Sequence, residues 1–244
     1  MRGRREFFLG AASLGLGGFG FFSGCSKATR NVTAASHAGV DFKVLVPKKD
    51  ADDKYPLFVA IHGLGGAPEH WVEPWGTFPG KVQIALPRGF DKHEEGHSWF
   101  PWTTNMKDEK LATHVVAAEE RLWKGIAALA AGRKIVVAGY EQGALLSYVI
   151  AVRHADAVLA SFPVAGACPE GLFPKDKTKA APIIAFHATA DDVVSLTSDR
   201  ASVDAFKAQG NRAELREYPG VKHSPSDKLH ADLNDEILTA LEAK

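Results

Sequence analysis

The segment Gly139-Tyr140-Glu141-Gln142-Gly143-Ala144 follows an apolar run at residues 135–138 and leads directly into a helical pattern. Glycines two residues before and two after a central residue are typical of a strand-to-helix turn so tight that larger side chains would clash. Such a turn pushes the central side chain, Glu141, outward at a helix N-terminus, where free N–H groups favour negative charge. The stretch therefore predicts a strand, a sharp turn and a helix, with an exceptional position at residue 141.

Short apolar runs typical of strands alternate with longer segments of helical period along the rest of the chain. Strands are predicted at residues 42–46, 57–61, 82–86, 135–138, 157–164, 183–186 and 213–218, and helices at residues 111–131, 144–153, 198–209 and 227–241. This alternation predicts an α/β fold, a three-layer sandwich whose mostly parallel, doubly wound sheet carries helices on both faces. The long irregular stretch at residues 87–107 exceeds ordinary loop lengths, and such loops are usually functional.

Chemistry in a parallel sheet gathers at the C-terminal ends of its strands, and three more polar segments follow predicted strands. The turn His62-Gly63-Leu64-Gly65-Gly66 can aim backbone N–H groups into a cleft, although many such turns only reverse the chain. Asp191 and Asp192 could simply cap a helix, and His223 could be an ordinary surface histidine. However, the order of sharp turn, acid and histidine, each after a successive strand, favours the triad arrangement of the α/β-hydrolases.

From about residue 40 to its C-terminus, the chain resembles the phospholipase/carboxylesterase family, which includes the acyl-protein thioesterases. The resemblance rests on residues 62–66 (HGLGG), 86–89 (LPRG), 98–100 (SWF), 139–144 (GYEQGA), 187–194 (HATADDVV) and 220–224 (GVKHS), which are specific in combination. It implies an α/β-hydrolase fold and the hydrolysis of an ester-like or related small substrate.

The resemblance also implies which residues form the catalytic group. Carried over position by position, Glu141 stands where the family has its nucleophilic serine, and Asp191 orients His223. Asp191 is preferred to Asp192 because it matches the family's spacing from the preceding histidine. A second departure from the family pattern is Ala188, which replaces the usual glycine.

Further roles follow from the same resemblance. The backbone N–H groups of Leu64 and Gln142 are expected to form the oxyanion hole. Trp99 and Phe100 are expected to line the acyl-binding side of the site. His62 is expected to be chiefly structural.

A glutamate at the serine position changes the chemistry that the turn can perform. Its reference pKa of about 4.3 leaves it ionised at neutral pH. It is a poor nucleophile towards an ester, because attack would form a mixed anhydride while expelling a more basic alkoxide. The side chain is also long enough to fold back onto the N–H groups of Leu64 and Gln142 and fill the oxyanion hole.

Three interpretations of Glu141 remain open. It could attack an sp3 carbon, which resembles the aspartate-nucleophile dehalogenases and epoxide hydrolases of this fold. It could act as a base or acid for direct attack by water. The site could also be catalytically silent, so that the fold serves as a binding or interaction module.

The first 25 residues differ in character from the rest. Arg2, Arg4 and Arg5 precede an uncharged run at residues 7–22, which resembles a twin-arginine export signal. Phe22-Ser23-Gly24-Cys25 resembles a bacterial lipobox, in which the cysteine is lipidated. We therefore expect an export signal at residues 1–24, a flexible tether at 25–39 and the hydrolase domain at 40–244. A lipid on Cys25 would anchor the exported domain to a membrane on the periplasmic or cell-surface side, with an uncleaved anchor helix as the alternative.

The amino-acid composition limits the kinds of partner that the chain is expected to bind. Lys plus Arg and Asp plus Glu both total 29, and no basic cluster follows the first five residues, so nucleic-acid binding is disfavoured. The ten histidines lack metal-binding spacing, and we expect no metal and no other cofactor. With Cys25 lipidated, Cys168 has no disulfide partner and is interpreted as a core or cleft-edge thiol. The expected partners are a small-molecule or acyl substrate and, through the lipid anchor, a membrane.

Overall fold

The structure is a computed structural model that describes residues 30–48, 55–103, 106–220 and 222–243. The predicted export signal and Cys25 lie outside the described residues. The strands are β1 (Arg30–His37), β2 (Val40–Pro47), β3 (Leu57–Ile61), β4 (Ile84–Pro87), β5 (Asp91–His93), β6 (Gly96–Ser98), β7 (Ile135–Tyr140), β8 (Val158–Val164), β9 (Ile183–Ala188) and β10 (Ala213–Tyr218). The helices are α1 (Pro68–Gly76), α2 (Asp108–Ala130), α3 (Gln142–Arg153), α4 (Leu196–Ala208) and α5 (Asp227–Glu242), with a 3-10 turn at Glu170–Leu172.

Eight of these strands form one sheet in the order β1-β2-β4-β3-β7-β8-β9-β10. Neighbours from β4 to β10 pair in parallel, whereas β2 pairs antiparallel with both β1 and β4. Strands β5 and β6 form a separate antiparallel hairpin. The mostly parallel sheet predicted from the sequence is confirmed.

Strand β3 shows how the sheet separates two cores. Leu57, Val59 and Ile61 join the core covered by α2, α3 and α4, whereas Phe58 and Ala60 join the core covered by α1 and α5. Successive side chains of a strand point to opposite faces, so a central strand buried on both faces has no polar position. The three-layer α/β sandwich is therefore confirmed, and the parallel strands end at one edge of the sheet.

The predicted tether at residues 25–39 is wrong from Arg30 onward, because Arg30–His37 is strand β1 and pairs with β2 along its whole length. Its residues give little apolar signal, since most of them are exposed at the edge of the sheet. Backbone hydrogen bonds hold such a strand without an apolar face. In addition, the Arg30 guanidinium donates to the carbonyl groups of Phe78, Gly80 and Val82. The described domain thus includes residues before position 40, where the sequence predicted its start.

Two further elements were not predicted. Helix α1 has nine residues and two prolines, so its periodic signal is short, although Trp71 and Trp75 bury one face of it. The stretch predicted as an irregular loop contains the β5–β6 hairpin, which bridges to the glycine-rich turn through Gly66 and His97.

Within the described segments, no helix is both long enough and apolar enough to cross a bilayer.

Candidate active site

The turn after β7 has the strained backbone of a sharp strand-to-helix bend. Glu141 has φ 53° and ψ −112°, a combination that residues with a side chain rarely adopt, and α3 begins at the next residue. A Cβ on Gly139 would lie 2.0 Å from the carbonyl oxygen of Gly143, and a Cβ on Gly143 would lie 2.1 Å from that of Ile61. Close backbone contacts therefore require glycine on both sides of Glu141.

The loops after β9 and β10 bring Asp191 and His223 together. Nδ1 of His223 lies 2.9 Å from Oδ2 and 3.1 Å from Oδ1 of Asp191. Oδ1 also accepts the N–H groups of Val193 and Val194 at 2.9 and 2.8 Å. Burial opposes the charge on Asp191, but the bonds from His223 and the two N–H groups outweigh it and lower the pKa of this carboxyl. Asp191 can thus orient the ring of His223, whereas Asp192 is exposed.

The other ring nitrogen of His223 is available for chemistry. Nε2 is buried and has no hydrogen-bond partner among the described residues, and His223 as a whole is 7% exposed. Tyr140 supports the ring, because its hydroxyl donates to the carbonyl group of His223 and the two rings lie 5.2 Å apart. A buried, unpaired nitrogen is unfavourable in a resting protein, and active sites keep such groups for proton transfer.

The carboxylate of Glu141 occupies the predicted oxyanion hole. Oε2 accepts the N–H of Leu64 at 2.6 Å, and the N–H of Gln142 also stabilises the carboxylate. A Cβ on Gly63 would lie 2.6 Å from Oε2, so glycine there leaves room for this contact. Glu141 is 6% exposed; its burial raises the pKa of the carboxyl, against the effect of the Leu64 bond and of nearby His223.

The side chain of Gln142 ties the turn to the long loop after β4. Its Oε1 accepts the N–H of Trp99 at 3.0 Å and the hydroxyl of Ser98 at 3.2 Å, and its Nε2 donates to the carbonyl group of Phe100 at 3.2 Å. Trp99 and Phe100 are each 2% exposed and belong to the core. Their side chains are core contacts in this structure, and the expected contact with an acyl group stays a prediction.

His62 joins the glycine-rich turn to the same loop. Its Nε2 accepts the N–H of Gly89 at 3.1 Å, so its proton lies on Nδ1, 2.7 Å from the carbonyl oxygen of Gly63. The indole N–H of Trp99 donates to the carbonyl group of His62 at 2.7 Å. Burial is the main cause that lowers the pKa of His62 to about 4, so this imidazole is neutral. These contacts make His62 a structural cross-link.

The supporting roles of the Tyr140 and Gln142 side chains were not predicted from the sequence. Both residues flank Glu141 directly, and the only sequence signal for these roles was a polar side chain next to so sharp a turn.

Cys168 is fully buried, which raises the pKa of its thiol. In the part of the chain that the structure describes, no group of His, Cys, Asp and Glu residues is arranged to hold a metal ion.

The model of the dienelactone hydrolase family matches residues 88–236. Comparison with curated protein sequences gives no match. The structure is similar to that of esterase PE8, with a TM-score of 0.69 and 18% identity over 77% of this chain and 93% of that one.

Two carboxylesterases are also similar in structure. The enzyme from Mesorhizobium loti has a TM-score of 0.68 and 16% identity over 86% of this chain and 98% of its own. The enzyme from Bacillus cereus has a TM-score of 0.65 and 12% identity over 87% of this chain and 95% of its own. At sequence identities this low, the structural similarity shows that these chains share a fold.

Proposed function

Because the chain belongs to the dienelactone hydrolase family of the α/β-hydrolase superfamily, we propose that it is a hydrolase of the carboxylesterase/phospholipase type with Glu141 in the nucleophile position. Its substrate is an ester-like or related small molecule. The observation that carries the proposal is the Asp191–His223 pair, whose Nε2 is left without a partner close to the sharp turn. Glu141, Asp191 and His223 are the catalytic residues, and the N–H groups of Leu64 and Gln142 form the oxyanion hole.

Ordinary acyl transfer does not suit this site. A serine loses its proton to histidine and forms an acyl-enzyme that waits for water. A Glu141 carboxylate would instead form an anhydride, and its Oε2 lies where the carbonyl oxygen of an ester would have to bind. The wild-type chain should therefore be a poor esterase.

Attack on an sp3 carbon fits the contacts of Glu141 best. One carboxylate oxygen forms a bond to the carbon, the bond to the leaving group breaks, and that group departs with the electron pair. His223 Nε2 then takes a proton from water while the water oxygen attacks the carboxyl carbon of the new glutamyl ester. Negative charge develops on the oxygen that the Leu64 N–H already binds. Collapse releases an alkoxide, which takes the proton from His223, and leaves Glu141 as a carboxylic acid. This acid loses its remaining proton to solvent, which restores the carboxylate.

Acid–base catalysis without a covalent step is the alternative route. Burial raises the pKa of Glu141, which brings a carboxyl closer to the range in which it exchanges protons at working pH. In that case Glu141 would activate water directly, and no alkyl group would become attached to it.

A catalytically silent binding module is the second candidate function. The observation that favours it is the occupied oxyanion hole, since Oε2 bonded to the Leu64 N–H excludes a substrate carbonyl oxygen. In this case the fold would bind a small molecule or another protein without turning it over.

Covalent trapping distinguishes these functions. The purified chain and its His223→Ala variant are incubated with alkyl halides, epoxides and short-chain nitrophenyl esters, and product and intact mass are measured. We expect turnover of an alkyl substrate by the wild type, and in His223→Ala a stalled adduct on the peptide that contains Glu141. Asp191→Asn should slow turnover strongly, whereas Asp192→Asn, its exposed neighbour, should not. Turnover without an adduct would indicate the acid–base route, and neither turnover nor adduct would support the silent module.

We further propose that the chain is exported and anchored to a membrane by a lipid on Cys25, on the periplasmic or cell-surface side. The support is the order of paired arginines, uncharged run and lipobox-like segment in the sequence. Cys25→Ala should move the protein from the membrane fraction to the soluble fraction. Cys168→Ala, which removes the buried second thiol, is the matched control and should remain on the membrane. Continued membrane association of Cys25→Ala would indicate an anchor helix instead.

A further inference from the structure

A second buried polar network lies behind the Asp191–His223 pair. His187 in β9, Asp199 in α4 and Tyr148 in α3 are each 0% exposed. The Tyr148 hydroxyl donates to Oδ1 of Asp199 at 2.6 Å, and Nδ1 of His187 lies 2.8 Å from Oδ2 of Asp199. None of these contacts was predicted from the sequence, and the proposed reaction uses none of these side chains directly.

The partners of His187 determine its charge. Nδ1 faces the Asp199 carboxylate, and Nε2 lies 3.1 Å from the carbonyl oxygen of Val194, so both ring nitrogens face acceptors. A neutral imidazole has one N–H and would satisfy both contacts only if the buried Asp199 carboxyl kept a proton and donated it to Nδ1. Burial opposes a charge on His187, but the bond to Asp199 and the fields of Asp199 and Asp191 outweigh it and raise the pKa of His187. Burial raises the pKa of Asp199, but the bonds from His187 and Tyr148 favour its carboxylate, and with Asp199 ionised the His187 ring carries both protons.

This cation lies directly against the acid of the candidate triad. Nε2 of His187 is 3.5 Å from Oδ2 of Asp191, the same oxygen that lies 2.9 Å from Nδ1 of His223. Asp191 is thus placed between two imidazoles. It also lies near Glu141, so the site brings two carboxyl groups into one buried region. A positive charge at His187 offsets that repulsion.

We propose that His187 is a positioning residue: held by Asp199 and Tyr148 as a protonated imidazole at neutral pH, it keeps Asp191 ionised and fixed in the orientation that receives His223. The other titratable groups around this network are Glu217 beside His187, Cys168 beside Asp199 and Tyr148, and Tyr140 beside Asp191. The proposal rests on the proposed function only for its catalytic consequence. The charge on His187 and its effect on the pKa of Asp191 can be measured without a substrate.

The first test measures the protonation of His187 in the unmodified full chain. NMR spectra with 15N-labelled histidine, recorded between pH 7 and pH 8 and assigned with His187→Gln, report both ring nitrogens. We expect the signature of an imidazolium, with a proton on each nitrogen. The signature of a neutral tautomer would overturn the proposal, and a role in packing alone would not require the charged form.

The second test removes the ion pair without leaving a buried charge. In the double variant His187→Gln/Asp199→Asn, two amides replace the charged groups, and the 13C signal of the Asp191 carboxyl is titrated. We expect the pKa of Asp191 to rise, because the lost cation faces Asp191 at 3.5 Å whereas the lost Asp199 carboxylate lies at the other ring nitrogen. The rise should be smaller than the shift of about one unit or more that follows the loss of a cation alone. An unchanged titration in the folded variant would contradict the proposal.

A matched control comes from the same helix. Buried Glu119 in α2 and partly exposed His154, which follows the C-terminal end of α3, form another histidine–carboxylate pair, at 2.6 Å. The 12 residues of α3 place that pair about 18 Å along the helix from the sharp turn. The double variant Glu119→Gln/His154→Gln should leave the Asp191 titration unchanged. If both NMR results hold while no substrate is turned over, the proposed function fails and the positioning role stands.

Discussion

Glu141 occupies a position that is unfavourable for a charged side chain. Its positive φ places it in a region of strain that costs of order 1–3 kcal/mol, and its carboxyl is buried. The bonds from the N–H groups of Leu64 and Gln142 offset part of the desolvation. At the scale of the residue, we expect the strain and the buried charge to reflect a requirement of the site and to reduce stability.

Replacement of this carboxyl by an amide should stabilise the fold in a pH-dependent way. Because burial raises the pKa of Glu141 above its value in the unfolded chain, the fold favours the protonated form. The stability that the fold gains from protonated Glu141 is fully present below about pH 4.5 and is lost as pH rises through the folded-state pKa. The free energy of unfolding of Glu141→Gln should therefore exceed that of the wild type at pH 8, and the gap should shrink towards pH 4.5.

Urea unfolding at several pH values checks this expectation. At pH 8, the difference in the free energy of unfolding between Glu141→Gln and the wild type should be about 1.4 kcal/mol for each unit by which the pKa of Glu141 is raised. Glu94→Gln is the control, because Glu94 is exposed and also has a positive φ; its effect should stay within about 0.5 kcal/mol at every pH. If the difference in the free energy of unfolding between Glu141→Gln and the wild type does not vary with pH, the pKa of Glu141 is not raised by folding.

Sequence alone could predict those features of the site that are local in the chain. The spacing of Gly139 and Gly143 indicated the sharp turn, because the clash that it avoids lies within a few residues. The contact of Tyr148 with Asp199 joins residues 51 positions apart on two helices. No pattern of spacing reports such a contact, since it depends on how α3 and α4 pack on the sheet.

At the scale of the element, β1 shows why a polar edge strand escapes prediction. Periodicity detects a strand that buries a face, and most residues of Arg30–His37 are exposed. What holds this strand is backbone pairing with β2 and one buried arginine. The same reasoning applies to α1, which is too short and too rich in proline to show a clear helical period.

Arg30 should therefore contribute measurably to stability. Its guanidinium is buried and donates to three backbone carbonyl groups, one of them that of Phe78 at 3.0 Å. Arg30→Ala should lower the free energy of unfolding by about 1–3 kcal/mol, since these acceptors lose their partner. Arg200→Ala is the control, because Arg200 pairs with Glu217 on the surface and should contribute much less to stability than Arg30 does. Equal losses in the two variants by chemical unfolding would show that Arg30 does not anchor β1.

At the scale of the whole molecule, parallel pairing brings distant segments to one edge. The turn after β3 supplies the N–H of Leu64, the turn after β7 supplies Glu141, and the loops after β9 and β10 supply Asp191 and His223. The fold class could be predicted because alternating strand and helix periods admit few arrangements. The order of strands in the sheet depends on pairing that local periodicity does not encode.

We infer that the chain carries an assembled hydrolase site in which glutamate replaces the nucleophilic serine. Restoring the serine hydroxyl tests it most directly: the rate of hydrolysis of short-chain nitrophenyl esters is measured for Glu141→Ser, for Glu141→Ser/His223→Ala and for the wild type. We expect Glu141→Ser to gain esterase activity and the second change to reduce that activity by about 10²-fold or more. A folded Glu141→Ser that hydrolyses esters no faster than the wild type, or equally well without His223, would contradict it.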